Sequence, residues 1–335
     1  MDIYDSLNRP LRDLRISVTD RCNFRCTYCM PKEIYNSNYS YLKKDEILTF
    51  EEISRITKIF TSLGIQKIRI TGGEPLLRKN LHRLIEQLNN INDVDIALTT
   101  NGVLLKQQAQ QLYDAGLNRI TVSLDAVDTS IFKILSDSNY SHEDVLEGIE
   151  QSLRVGFKVK INMVVKRGIN DQHALDMIEF FRHSNVVIRF IEFMDVGNTN
   201  HWDENSVVKS QEILQLIENN YKVSKLEKNY FGEVANRYEL QDKSLEFGFI
   251  SSVTEPFCND CTRMRLSSDG KLYTCLFALA GFDIKEKLRN NTEDEQIISF
   301  ISSIWSNRSD RYSELRSQNT LSSEKNKIEM PYIGG

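Results

Sequence analysis

The sequence predicts an α/β protein, a parallel sheet curled into a barrel or wound open, followed by a smaller unit with antiparallel strands. Three observations predict it. Between Leu14 and Phe193, six runs rich in β-branched residues alternate with amphipathic helical stretches. Polar, glycine-rich and cysteine-bearing segments gather just after the carboxyl ends of those runs, as on the active rim of a β/α barrel. Beyond about Tyr221 the alternation gives way to shorter paired runs, so the domain boundary is placed between 1–223 and 224–335.

In chain order, the first strand, Leu14–Val18, runs into a loop carrying Cys22, Cys26 and Cys29. A helix over Phe50–Leu63 stops at Gly64, and a second strand, Lys67–Thr71, ends in Gly72-Gly73-Glu74-Pro75. A helix over Leu76–Leu88 precedes the third strand, Val94–Thr99, which ends in Thr100-Asn101-Gly102. Leu105–Ala115 reads as a helix stopped by Gly116, and the fourth strand, Arg119–Leu124, leads to Asp125-Ala126. His142–Val155 reads as a helix stopped by Gly156, then come strand Lys158–Val165, helix Ala174–His183 and strand Val186–Phe193, which ends at Met194-Asp195-Val196-Gly197. In the second part, Tyr230–Leu240 and Leu245–Val253 read as antiparallel strands, Ser268-Asp269-Gly270-Lys271 as a hairpin turn into Leu272–Phe277, and Glu293–Trp305 as a helix. From Asn307 the chain is polar and aperiodic and ends in Gly334-Gly335.

The chain of 335 residues carries a net charge of −5, which argues against a surface that holds nucleic acid by phosphate neutralisation alone. No apolar stretch is long enough to cross a bilayer, and Met1-Asp2-Ile3-Tyr4-Asp5 lacks a secretory pattern, so a cytoplasmic protein is expected. Disulfides are rare there, and the six cysteines read as metal ligands or redox groups in two triplets.

In Cys22-x3-Cys26-x2-Cys29, three thiolates rather than four leave a metal position open for chemistry. The plain alternative is zinc completed by a histidine, but none of the five histidines sits in or beside this loop. Cys258-x2-Cys261-x13-Cys275 is either three quarters of a zinc knuckle or a second cluster with an open iron. Gly72-Gly73 permits close backbone approach and Glu74 can accept from an ammonium, although an ordinary turn before Pro75 has the same residues. Arg263 and Arg265, at alternate positions, project to one side. With Arg15, Arg69, Lys160 and Arg189 on strands, they form a cationic set that is expensive inside a protein unless an anion such as a polyphosphate answers it. The plain alternative is a solvated charged strand.

The cysteine triplet with Tyr28 before its last member resembles the signature of the radical S-adenosylmethionine (radical SAM) superfamily. The resemblance implies a partial (β/α)6 TIM-type barrel and a [4Fe-4S] cluster whose free iron chelates the methionine group of S-adenosylmethionine. One electron then yields a 5′-deoxyadenosyl radical. It implies cofactor binding by Tyr28, Gly73 and Glu74, with Ser123 at the ribose and Met194 at the adenine. Leu14–Asn23, Arg69–Leu76, Arg189–Met194, Cys261–Leu266 and the terminal glycines further resemble the radical SAM GTP cyclases that open molybdenum cofactor biosynthesis. That implies a second [4Fe-4S] cluster on Cys258, Cys261 and Cys275 that meets guanine. GTP contacts are implied at Arg15, Arg69, Thr99, Lys160, Arg263 and Arg265, and roles in catalysis for Arg15, Arg263, Arg265, Gly334 and Gly335. The reaction implied takes hydrogen from ribose C3′ of GTP and adds the ribose to guanine C8, giving (8S)-3′,8-cyclo-7,8-dihydroguanosine 5′-triphosphate. An electron donor protein and, downstream, cyclic pyranopterin monophosphate synthase are the implied partners, with no nucleic acid and no membrane; the chain's size suits a homodimer. Three other readings stay open: another radical SAM enzyme with an auxiliary cluster, such as a peptide-modifying maturase; a zinc-stabilised nucleic-acid-binding protein; and a scaffold with idle cysteines.

Overall fold

The computed structural model describes residues 2–92, 94–290, 292–319 and 327–334. Six strands and their helices follow in the predicted order: β1 (Asp13–Ser17), α1 (Phe50–Ser62), β2 (Lys67–Thr71), α2 (Leu81–Asn89), β3 (Asp95–Thr100), α3 (Leu105–Asp114), β4 (Arg119–Ser123), α4 (Thr129–Ser136), α5 (His142–Val155), β5 (Lys158–Val165), α6 (Ala174–Phe181) and β6 (Val186–Glu192). After α7 (Ser210–Glu218) come β7 (Val223–Leu226), β8 (Asn236–Leu240), β9 (Glu246–Ile250), β10 (Arg263–Leu266), β11 (Lys271–Tyr273), β12 (Phe282–Asp283), α8 (Lys285–Arg289), α9 (Asp294–Ser306), α10 (Tyr312–Asn319) and α11 (Met330–Ile333).

The twelve strands of the described residues join one sheet, in the order β12-β11-β10-β1-β2-β3-β4-β5-β6-β9-β8-β7. β1 to β6 are parallel neighbours. The strands after Tyr221 extend this sheet at both edges: β10 pairs parallel with β1, and β9 parallel with β6, while β11, β12 and β8, β7 continue antiparallel outward. The chain's second part therefore supplies both flanks of its first. Among the described residues, no helix is long and apolar enough to cross a membrane.

Parallel strands covered on both faces usually read as continuous apolar runs, but these alternate. In β5, Val159, Ile161, Met163 and Val165 are buried in the main core, while Lys160, Asn162 and Val164 face a central cavity. Leu14 and Ile16 of β1 and Ile68 and Ile70 of β2 likewise enter the core, and Arg15 and Arg69 face inward. The helices pack their apolar stripes on the outer face, which leaves the inner face free to carry charge.

One expected helix is interrupted. Leu76–Leu88 divides into a single 3-10 turn, Pro75–Leu77, and α2 from Leu81. Arg78 is extended and Asn80 left-handed (φ 60°) between them. The Arg78 guanidinium donates to the carbonyls of Val18 (2.9 Å) and Leu48 (2.7 Å), so tertiary bonds hold the break open.

Candidate active site

The cysteine loop leaves β1 and lies across the end of β2. Gly73 N donates to Thr19 O (2.8 Å) and Glu74 N to Arg21 O (2.7 Å), so the glycine turn is a floor for the loop. The approach is close: a Cβ on Gly73 would stand 2.4 Å from the Arg21 carbonyl oxygen, and one on Gly72 2.7 Å from that of Thr19. Both glycines are there because backbone occupies the space a side chain would need.

Glu74 is buried, and its carboxylate accepts from Leu76 N (2.9 Å), Thr100 Oγ1 (2.7 Å) and Asn101 N (2.7 Å). Burial raises its pKa to about 7 against the pull of those donors. A carboxylate has room for roughly four hydrogen bonds, so one acceptor position is left for a cation. Tyr28 Oη donates to Asp125 Oδ2 (2.6 Å), and Asp125 Oδ1 accepts from Val164 N (2.8 Å), tying the cysteine loop to the ends of β4 and β5.

All six cysteines are free thiols and line one cavity of about 380 Å³, together with Gly73, Glu74, Ser123 and Met194. Burial pushes the Cys22 thiol up to about 12 and raises Cys26 and Cys29 well above the ordinary range. Such a buried, mutually repelling trio becomes thiolate only with a metal's charge beside it. Among the described residues, no three His, Cys, Asp or Glu side chains converge on a point that could hold a single ion. A four-iron cube suits this arrangement, since it reaches separated sulfurs through different corners and leaves the fourth corner free.

The second trio starts on a 3-10 turn, Cys258–Asp260, continues at Cys261 before β10 and ends at Cys275 after β11. Buried ionic contacts fix it. Asp5 Oδ2 accepts from Arg9 Nε (2.6 Å) and Arg308 Nη1 (2.9 Å); Arg9 Nη1 holds the Cys258 carbonyl (2.7 Å) and Arg308 Nη1 that of Cys261 (3.0 Å). Arg308 Nη2 lies 3.2 Å from Cys261 Sγ. Burial would raise the Cys261 thiol, but Arg263 and Arg308 outweigh it and bring it down to about 6. Burial takes Cys275 up to about 12.

Arg265, Arg15 and Arg69 stand abreast, because Arg265 and Arg69 are the register partners of Arg15 on β10 and β2. Among the described residues, Arg69 bonds Thr99 and Thr121 (each 3.0 Å), Arg265 bonds the Gly334 carbonyl, and Arg15 has no hydrogen bond or ion pair. Burial, then Arg265, Arg69 and Arg263, depress the Arg15 pKa well below its ordinary value. Burial and Arg189 lower Lys160 to about 8. Arg189 lines the cavity but is already answered by Glu246 (3.0 Å). Gly248, its register partner, is held to glycine by backbone: a Cβ there would stand 2.5 Å from the Asn236 carbonyl oxygen, with Arg189 Nη1 next at 3.1 Å.

The tail returns to this mouth. Asp195 accepts from Arg316 Nε (2.9 Å), Lys327 Nζ (2.7 Å) and Tyr312 Oη; Glu329 accepts from Asn198 N (2.9 Å) and Thr199 Oγ1 (2.9 Å). Ile333 is fully buried and Tyr332 donates to Asp269. Gly335 lies outside the described residues. The structure thus brings together every other predicted site residue. Asp125, Asn101 and Arg308 join them without having been singled out; Asp125 and Asn101 stand at strand ends the sequence marks, whereas Arg308 sits in a polar stretch with no pattern to expose it.

Known proteins agree with this geometry. The Radical SAM superfamily matches residues 16–181 and Molybdenum Cofactor Synthesis C matches residues 186–314. The chain is 52% identical over 336 residues to a GTP 3′,8-cyclase of Staphylococcus epidermidis and 50% identical over 336 residues to one of Staphylococcus aureus, covering 99% of each chain. In fold it resembles Streptococcus suis SuiB bound to its precursor peptide SuiA, with a TM-score of 0.65 at 14% identity over 96% of this chain and 76% of that one. Half of all positions, shared from end to end with curated cyclases, place the chain in the GTP 3′,8-cyclase family of radical SAM enzymes.

Proposed function

We propose that this cavity converts GTP to (8S)-3′,8-cyclo-7,8-dihydroguanosine 5′-triphosphate, with one [4Fe-4S] cluster on Cys22, Cys26 and Cys29 and a second on Cys258, Cys261 and Cys275. The observation that carries the reading is the row Arg265, Arg15, Arg69, with Arg15 free of any partner among the described residues. Three guanidiniums side by side in a buried site repel one another, and a triphosphate turns that repulsion into binding.

In this reading Arg15, Arg69, Lys160, Arg263 and Arg265 hold GTP. Thr99 acts through Arg69, and Arg189, held by Glu246, shapes the wall. Glu74 offers its spare acceptor position to the ammonium of S-adenosylmethionine, over Gly73, and Tyr28, Ser123 and Met194 line the rest of that subsite. When bound, the first cluster and S-adenosylmethionine supply radical hydrogen abstraction. The chain's own residues decide which hydrogen is taken, since a misplacement of order 1 Å can cost roughly a hundredfold in rate. Arg265, through the Gly334 carbonyl, keeps Gly334 beside the substrate arginines. Residues 1–223 then form the radical-generating part, and 224–335 the part that holds the second cluster and roofs the cavity. An electron donor protein reduces the first cluster, and the product passes to cyclic pyranopterin monophosphate synthase.

Anaerobic purification with iron and sulfide analysis tests this. About eight irons per chain are expected, falling to about four in Cys258→Ala, together with saturable GTP binding that Arg15→Ala weakens. Near-zero iron, or GTP binding indifferent to Arg15, overturns it.

A further inference from the structure

The cysteine loop has a second face. Residues 21–44 hold five cations, Arg21, Arg25, Lys32, Lys43 and Lys44, against Glu33 alone, a net charge of +4 that leaves −9 on the rest of a chain totalling −5. Four of them, Arg21, Arg25, Lys32 and Lys43, line a shallow depression with Tyr35, Tyr39 and Tyr41. Arg21 lies over the Tyr41 ring (5.1 Å), and the tyrosines pack in a row, Tyr35 tilted against Tyr39 (centroids 4.6 Å, 42° between planes) and Tyr39 edge-on to Tyr41 (4.8 Å, 65°). Arg21, Lys32 and Lys43 are exposed, with Lys32 leaning on Asp137.

The depression shares no lining residue with the cavity, yet the same loop walls both, since Cys22, Cys26 and Cys29 open to one and Arg21 and Arg25 to the other. Arg25 connects them. Its guanidinium donates to the Cys22 carbonyl (2.9 Å), the Tyr35 carbonyl (2.8 Å) and Tyr41 Oη (3.2 Å).

We propose that this basic, tyrosine-lined depression is the docking surface for an acidic one-electron carrier protein that reduces the first cluster. The inference rests on the cluster assignment made above for Cys22, Cys26 and Cys29. The site meets the three demands of that partner. Its loop sums to +4 while the rest of the chain sums to −9, so an acidic carrier is steered toward it. It lies one loop away from the thiols, and electron transfer falls off steeply with distance. It shares no lining residue with the cavity, so the carrier docks without occupying the space of S-adenosylmethionine and GTP. In the transfer the carrier loses one electron and the cluster gains one, with no atom moved. A small, wet, salt-sensitive contact is the form such transient redox interfaces take.

The test uses the reconstituted protein and a purified acidic flavodoxin as the probe. A triple variant, Arg21→Glu, Lys32→Glu and Lys43→Glu, is compared with Lys222→Glu, Lys225→Glu, which reverses exposed charge elsewhere. The triple variant is expected to weaken the flavodoxin Kd by about tenfold or more at low salt, to lose its salt dependence and to slow flavodoxin-driven cluster reduction, with the control unchanged. Dithionite-driven reduction should be the same in all three proteins. An unchanged Kd in the triple variant, an equal loss in the control, or a loss of dithionite-driven reduction to match overturns the proposal. Conversion of GTP by dithionite-reduced wild type reads the cavity assignment separately.

Discussion

Gly73 and Lys160 show how single residues set this site. At Gly73 the obstacle to any side chain is the Arg21 backbone, which cannot swing aside as a flexible chain would. Gly73→Ala should push the cysteine loop off its floor, so that the first trio loses iron while the second keeps it, and content drops from about eight to about four per chain. Intact iron and S-adenosylmethionine binding in that variant would refute the floor. Lys160, lowered to about 8 by burial and Arg189, is partly neutral in mildly alkaline solution. Because a bound triphosphate favours the charged form, GTP binding should take up a proton and weaken as pH rises through 8. The stability of the ligand-free protein runs the other way: the unfolded chain holds this proton up to the ordinary lysine pKa, so stability rises from about pH 8 toward 10.5. Lys160→Gln should flatten the affinity profile in calorimetric titrations.

Elements that obey a single physical rule are the ones the sequence makes legible. β2, β5 and α5 have the predicted bounds; the strands alternate cleanly, and α5 has a capping box from Ser141 and Asp144 with Gly156 as a left-handed stop (φ 103°). Ser141→Ala should cost about 1 kcal/mol, lowering Tm by about 2 °C with GTP turnover unchanged, because the cap lies outside the cavity. The helices that escaped, α4, α7, α8, α10 and α11, have four to nine residues, which leaves little length for a periodic signal, and the last two fall in the stretch after Asn307 read as aperiodic. The break at Arg78 and Asn80 escaped because its cause is tertiary, two carbonyls brought from far along the chain. The site divides in the same way: cysteines, glycines and inward arginines announce themselves by spacing, whereas Arg308 acquires its place beside Cys261 only when α9 packs. The single sheet was also hidden, since edge pairing of β9 and β10 is not encoded in either strand alone.

Over the whole molecule, Asp195 is the clasp between the barrel part and the returning tail. Arg316 and Lys327 outweigh the effect of its burial and hold its carboxyl below the usual range. Its contribution is therefore complete above the ordinary aspartate pKa and fades as acid protonates it. Asp195→Ala leaves the Arg316 guanidinium buried and unpaired, a loss of roughly 3–5 kcal/mol that is relieved by letting the tail go. Limited proteolysis should then cut the C-terminal segment faster while the main unfolding transition stays near that of the wild type; unchanged cleavage would rule out the clasp. The seam between β1 and β10 has a further consequence, one of timing. Asp13 pairs with Arg263, 250 positions later, so at roughly 5–20 residues per second the ribosome needs some 12–50 s to deliver the second strand after the first. For that interval the nascent polypeptide holds β1 with one edge bare, a target for wrong neighbours, and its completion depends on synthesis reaching β10.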